Sequence, residues 1–297
     1  MARVIRDQAA GLRGLSVLRN DDSVRIVTVA SGKKGVGKTS VVVNLAMTLA
    51  KNGKHVLILD ESPQHNNVNA HLGLHAHHDL AHVIKRVKTL EQVILQGPHD
   101  VSVLTATRGI HSLAKLNTAD QDWLIKCFSE LSKSIDVVLI DTAIGAASQV
   151  LPLSLASQQV LILLSGAPSS ITDAYALIKT MSQEYAKQHF LVLVNKVKSE
   201  QAAHAIFDNI SSVARQHLSV SLDYVGFIPA DEKLRRSTQL CRSVVDAFPA
   251  TPSARGFKQM ADDLLCCSCP DDYGGGVEHF MQRLIRTSHL NTENLTV

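Results

Sequence analysis

Residues 31–40, SGKKGVGKTS, restrict this chain more than any other stretch. They follow a β-branched run, VRIVTVA at 24–30, and lead into VVVNLAMTLA at 41–50, which is apolar nearly all round and reads as a buried helix. Gly32, Gly37, Lys38 and Thr39 satisfy G-x-x-x-x-G-K-[ST], the P-loop pattern. The spacing has a chemical reason. A glycine-bearing loop turns backbone N–H groups inward around phosphate oxygens, at the positive end of the following helix. Lys38 then reaches β- and γ-phosphates, and the Thr39 hydroxyl can ligate Mg²⁺. The candidate nucleotide cradle is Gly32, Lys33, Lys34, Gly35, Val36, Gly37, Lys38, Thr39 and Ser40.

The rest of the chain supplies a sheet to carry that loop. The run at 56–59 (VLIL) is apolar throughout and ends at Asp60, and DVVLID at 136–141 ends at Asp141. Further apolar runs at 101–104, 160–164, 190–194 and 224–228 alternate with helical sequence. Such alternation predicts an α/β fold of three layers, a mainly parallel sheet covered by helices on both faces. Acids at the carboxyl ends of parallel strands sit at the ligand crevice. Asp141 therefore fits a Walker B acid holding Mg²⁺; an Asp capping a turn is the alternative reading. Asn195 closes another strand, where a turn-satisfying role is equally open to the residue alone.

Length and composition set the outer limits. With 297 residues, 45% hydrophobic and 19% charged, the chain is expected to form one large globular domain with short appendages. A net charge of +3 without a long basic run offers no clear nucleic-acid surface, so direct DNA contact is not expected. Five cysteines after an opening of MARVIRDQ, with no apolar leader, point to a reducing cytoplasm. No stretch is long and apolar enough to span a bilayer. Six histidines between His65 and His82 lack a completing carboxylate or cysteine set, so surface positions are expected rather than a metal site. Trp123 lies in an amphipathic helix over 119–133 and is expected to pack in the core.

Lys33, directly after Gly32, makes the loop resemble the deviant P-loop of the MinD/ParA family, K-G-G-x-G-K-[ST]. The resemblance implies ATP or ADP with Mg²⁺, held between two subunits, with Lys33 crossing to the partner's phosphates. It makes Lys33, Lys38, Asp60 and Asp141 the catalytic set and Thr39 and Asp141 the metal ligands. Asn195 would read adenine, and Pro229 would pack near the base. Three positions depart from the pattern. Lys34 replaces a glycine where backbone approach is tight. Ser62 stands where a D-x-D element has its water-positioning Asp, and Glu61 beside it points to the other face of an extended segment. Ile144 replaces a small residue in TAIGAAS at 142–148, a switch-like segment.

Within that family the chain resembles the flagellar-number regulators FlhG/FleN. DQAAGLR at 7–13, NVNAHLGL at 67–74, PSSITDAYALIK at 168–179 and FIPADEKLRR at 227–236 carry the likeness. It implies that residues 1–22 activate an FlhF-type GTPase through Gln8, supported by Asp7, Leu12 and Arg13. Flagellar switch-ring proteins and a flagellar transcription activator are the further partners implied. The nucleotide domain is expected over 23–265, with a glycine-rich linker over 266–276. In VEHFMQRLIR, Val277, Phe280, Met281, Leu284 and Ile285 form one apolar helical face. Flanked by arginines, that face over 277–297 suits an anionic membrane, or the protein's own core; the resemblance favours the membrane. A cytoplasmic ATP-switched dimer, peripheral at the inner membrane face, is thus expected. The competing expectation is a scaffold of the same fold that hydrolyses ATP poorly, and a ParA-like partitioning ATPase is a third.

Overall fold

The computed structural model describes residues 24–62, 67–143, 147–266 and 276–288. The apolar runs become strands because β-branched and leucine side chains fit a pleated surface covered on both faces. In chain order the body runs β1 (Arg25–Ala30), α1 (Lys38–Lys51), β2 (Val56–Asp60), then short helices α2 (Val68–Leu72), α3 (Leu80–Ile84) and α4 (Leu90–Val93). Next come β3 (Leu95–Gln96), β4 (Ser102–Thr105), α5 (Thr107–Leu113), α6 (Thr118–Ser132), β5 (Val137–Asp141) and α7 (Ala147–Ala156). Then follow β6 (Gln159–Ser165), α8 (Pro168–Tyr185), β7 (His189–Val197), α9 (Glu200–His217) and β8 (Ser221–Pro229). The chain closes with α10 (Glu232–Gln239), α11 (Val244–Ala247), α12 (Pro252–Cys266) and α13 (Gly276–Ser288).

The strands form one eight-stranded sheet in the order β3-β4-β2-β5-β1-β6-β7-β8. Every neighbouring pair is parallel except β3 with β4. The two-residue β3 was not visible as an apolar run; it forms an edge, where a short strand is tolerated.

Successive side chains leave opposite faces, and this divides the core. Val27, Val29, Ile58, Leu139, Leu161 and Leu163 pack under α1, α11 and α12. Ile26, Leu57, Leu59, Val138 and Ile140 pack on the other face with α6 and α13. Val160, Ile162 and Leu164 share that second face with α8. The Arg25 guanidinium donates to Leu264 O at 2.6 Å and Leu265 O at 3.3 Å, satisfying carbonyls of the last turn of α12. Trp123 is half-buried and packs against the second core, and the Arg86 guanidinium lies 4.6 Å from its ring centre.

The C-terminal helix takes the second of its two expected positions in this structure: Val277, Phe280, Met281, Leu284 and Ile285 are all buried in the second core. They pack against α6 and α7, and the Thr287 hydroxyl donates to Pro152 O at 3.2 Å. Helical periodicity alone cannot separate these outcomes, because a core and a lipid surface both reward the same apolar stripe. Among the described residues no helix is long and apolar enough to cross a membrane. The DQAAGLR segment with Asp7, Gln8, Leu12 and Arg13 lies outside the described residues, as do Ile144, Gly145 and most of the linker.

Leu284, 1% exposed, reports on this docking. Leu284→Ala should cost about 2–5 kcal/mol in urea unfolding of the nucleotide-free protein. A cost under about 1 kcal/mol would mean that α13 is not packed in solution.

Candidate functional site

The P-loop sits between the buried end of β1 and the first turn of α1, at the carboxyl edge of the sheet. Two of its residues adopt left-handed backbone, Gly35 at φ 78° and Gly37 at φ 104°. Both are glycines, which reach that region without steric cost. A Cβ on Gly37 would also lie 2.6 Å from Asn195 Nδ2, and one on Gly32 would lie 2.4 Å from the carbonyl oxygen of Asp173 in α8. Lys34 does not enter the left-handed region, and its side chain is exposed. The lysine at the family's glycine position is therefore accommodated by pointing into solvent.

Lys38 and Thr39 converge on one acid. Lys38 Nζ lies 3.0 Å from Asp141 Oδ1 and also donates to the carbonyl of Thr142, while Thr39 Oγ1 donates to Asp141 Oδ2 at 2.6 Å. Lys38 is 4% exposed and Asp141 is fully buried. Register makes this possible: β1, which leads into the loop, pairs in parallel with β5, with Val29 opposite Asp141. A hydroxyl beside a carboxylate offers hard oxygen donors, the set that Mg²⁺ prefers. The backbone cradle, the lysine and this donor pair together fit a magnesium–nucleotide complex.

The acids around Lys38 are crowded. Asp60 Oδ1 accepts from Ser62 N at 2.9 Å and its Oδ2 from Val68 N at 3.1 Å. Burial, reinforced by Asp141, pushes the Asp60 carboxyl up to about 7. Glu61 reaches the opposite way, as an extended backbone requires: its Oε2 accepts from Ala143 N at 3.0 Å. Burial likewise pushes the Glu61 carboxyl up to about 7. Ser62 is buried beside them. Sequence reasoning set Glu61 aside, yet this carboxylate anchors the loop that leaves Asp141. A second acid directly after Asp60 was the only signal for it.

Other expected site residues make contacts within the chain. The Asn195 amide, expected to read a base, is 1% exposed; its Nδ2 donates to Val36 O at 2.8 Å and its Oδ1 accepts from Lys196 N at 2.9 Å. One N–H remains to it. Lys33, expected to reach a partner subunit, hydrogen-bonds the Ser169 hydroxyl of its own α8. Pro229 lines a groove of ≈ 530 Å³ with Lys198, Phe227, Pro252 and Arg255. In the histidine run, His71 is buried while His75 and His77 are exposed, and His82 Nδ1 lies 2.8 Å from Asp79 at the start of α3. No cluster of three metal-ligating side chains occurs among the described residues.

The raised Glu61 carboxyl gives a pH test. A carboxyl with its folded pKa at about 7, above the ordinary 4.5, favours the folded chain below pH 4.5 and loses that contribution as pH rises through 7. Glu61→Gln keeps an acceptor for Ala143 N and carries no charge. Its melting temperature should exceed the parent's by about 2–4 °C or more at pH 8, and the gap should close as pH falls below 4.5. A gap independent of pH would refute the shift.

Comparison with known proteins agrees with this geometry. Residues 27–240 match the CobQ/CobB/MinD/ParA nucleotide binding domain family. The antiactivator FleN of Pseudomonas aeruginosa is 38% identical over 263 residues, 89% of this chain and 94% of its own. The flagellum site-determining protein YlxH of Helicobacter pylori is 28% identical across 95% of this chain and 99% of its own. Among solved structures, the MinC:MinD cell division complex of Aquifex aeolicus aligns with a TM-score of 0.67 at 23% identity, covering 83% of this chain and 98% of that one. The three-layer fold, the P-loop facing Asp141 and these relatives agree: the chain belongs to the MinD/ParA-type nucleotide-binding family, in its FlhG/FleN branch.

Proposed function

We propose that the protein is a MinD-like ATP-binding regulator of flagellar number and placement. It dimerises on ATP, moves between cytoplasm and membrane, and stimulates an FlhF-type GTPase through the segment carrying Gln8. The observation that carries this reading is the convergence of Lys38 and Thr39 on buried Asp141, in a chain 38% identical to an antiactivator. Flagellar switch-ring proteins and a flagellar transcription activator are the further partners proposed, with no direct DNA contact.

In this reading the geometry described above is the resting form. Lys38 transfers its donors from Asp141 to β- and γ-phosphate oxygens, which exchanges one anionic partner for another without exposing the ammonium. Thr39 and the freed Asp141 carboxylate are the residues that would hold Mg²⁺, which supplies charge neutralisation on the phosphates. Lys33 leaves Ser169 to meet the second subunit's nucleotide. The α13 face, now buried on α6 and α7, is released toward an anionic membrane. Two released helices per dimer bind through avidity, since one short helix binds weakly.

A second reading has its own support. Ser62 has no carboxylate to accept a water proton, and Glu61 is committed to Ala143 N. That pair favours a slow or idle hydrolase acting as a scaffold. Turnover of purified protein, paired with light-scattering mass in ATP and ADP, separates the readings. The expected result is an ATP-dependent dimer with slow hydrolysis, abolished by Lys38→Ala and raised about tenfold or more by Ser62→Asp. A tight ATP dimer without hydrolysis would select the scaffold. Failure to bind ATP would sink the switch reading and leave a carrier for the N-terminal segment. Anionic vesicles should sediment the ATP form and not the ADP form, and Arg286→Glu, on the exposed side of α13, should weaken this while leaving the dimer.

A further inference from the structure

The turn between α3 and α4 reads Lys85, Arg86, Val87, Lys88, three cations around one valine. Among the described residues Val87 is the most exposed of the large apolar side chains, at 63%. The turn that presents it is firmly built. Arg86 sits at φ 57°, in the left-handed region that glycine enters freely and arginine does not. Such a conformation persists only where its surroundings hold it. Here Arg86 N donates to Val83 O at 2.8 Å, and Val87 N donates to His82 O at 3.0 Å. The Arg86 guanidinium is tied to Asp120 Oδ1 at 2.7 Å and lies over Trp123 of α6. Val87 is therefore offered to the outside by a fixed backbone.

The charge of the turn is not spent within the chain. Ion pairs take up Arg86 with Asp120 and Arg108 with Asp79. Lys85 and Lys88 join no ion pair among the described residues, and neither does Lys126, at i+3 from Trp123 on α6. Glu91 and Asp122 are exposed on the flanking helices, but the turn itself carries no carboxylate. It also shares a helical layer with α13, which packs against the same α6 that holds Arg86. A rigid apolar tip among cations suits an anionic lipid surface, where the valine enters the acyl boundary and the ammonium groups stay with the phosphates. A protein partner would need both a facing acidic surface and a pocket for one valine; a bilayer needs neither.

We propose that the turn at 85–88 is a second membrane contact, in which Val87 enters an anionic phospholipid surface while Lys85 and Lys88 meet its phosphates. This rests on the membrane reading of α13 and adds a site that is exposed before any helix is released. One valine with two lysines binds only at about millimolar strength, too weakly to hold a single chain on a vesicle. In a dimer two such turns act together with two α13 helices, and the weak terms multiply.

The test uses the full-length protein in ATP, sedimented with phosphatidylcholine vesicles that contain or lack phosphatidylglycerol. A variant combining Lys85→Ser, Val87→Ser and Lys88→Ser should lose about tenfold or more in affinity for the anionic vesicles. Its ATP-dependent mass and its ATP turnover should match the parent's. Val87→Leu, which adds one methylene to the tip, should bind the anionic vesicles about threefold more tightly or better. Unchanged vesicle affinity in the triple variant, beside a parent that binds, overturns the turn and leaves α13 as the membrane element. Equal binding of the parent to both kinds of vesicle overturns the anionic contact. A parent that forms the ATP dimer yet sediments with neither vesicle overturns the membrane reading of α13 together with the proposal. Should the triple variant fail to dimerise, Val87→Leu decides: no gain in affinity overturns the proposal.

Discussion

The buried pair between Lys38 and Asp141 is the interaction on which the site depends. Removing two charges from water is expensive, and their attraction offsets that cost only when geometry is good and remaining donors are satisfied. Both conditions hold: Lys38 also reaches the Thr142 carbonyl, and Asp141 also accepts from Thr39. The pair further requires that β1 and β5 be neighbours in parallel register, since one partner follows β1 and the other ends β5. The central strand order is thus tied to the site's charge balance. An ion pair of this kind favours one arrangement over others, and it is broken only by something that offers both partners equivalent charge.

The crowding of acids follows from the same arrangement. Parallel pairing of β2 with β5 brings Asp60 beside Asp141, and the next residue adds Glu61. One lysine faces this group, so burial drives Asp60 and Glu61 toward their neutral forms near pH 7. A site that holds protons it would surrender to a cation couples ligand binding to proton release. The hydrogen bonds of these carboxyls reach the start of α2 and the loop after Asp141, so the protonation state bears on both segments.

Much of this was legible in the sequence, for physical reasons. The glycines, lysine and threonine of the P-loop are fixed by backbone and phosphate chemistry, so pattern and geometry coincide there. Buried parallel strands announce themselves as unbroken apolar runs, and their acidic ends locate the crevice. Legibility failed where the outcome depends on contacts distant in sequence. Asn195 is read correctly as a strand-end amide, but nothing local says that its donor goes to Val36, far earlier in the chain. The α13 stripe specifies an apolar partner without naming it. Lys34 departs from a motif yet costs little, because its backbone avoids the conformation that would demand glycine.

Arg25 carries a consequence for how the chain's extensions are arranged. Its guanidinium ties the first turn of the sheet's central strand to the last carbonyls of α12. The sequence preceding residue 24 and the sequence following residue 266 therefore depart from adjoining points on one side of the body. A body that docks against the start of β1 therefore also meets the end of α12, so bulk at either place limits the approach to the other.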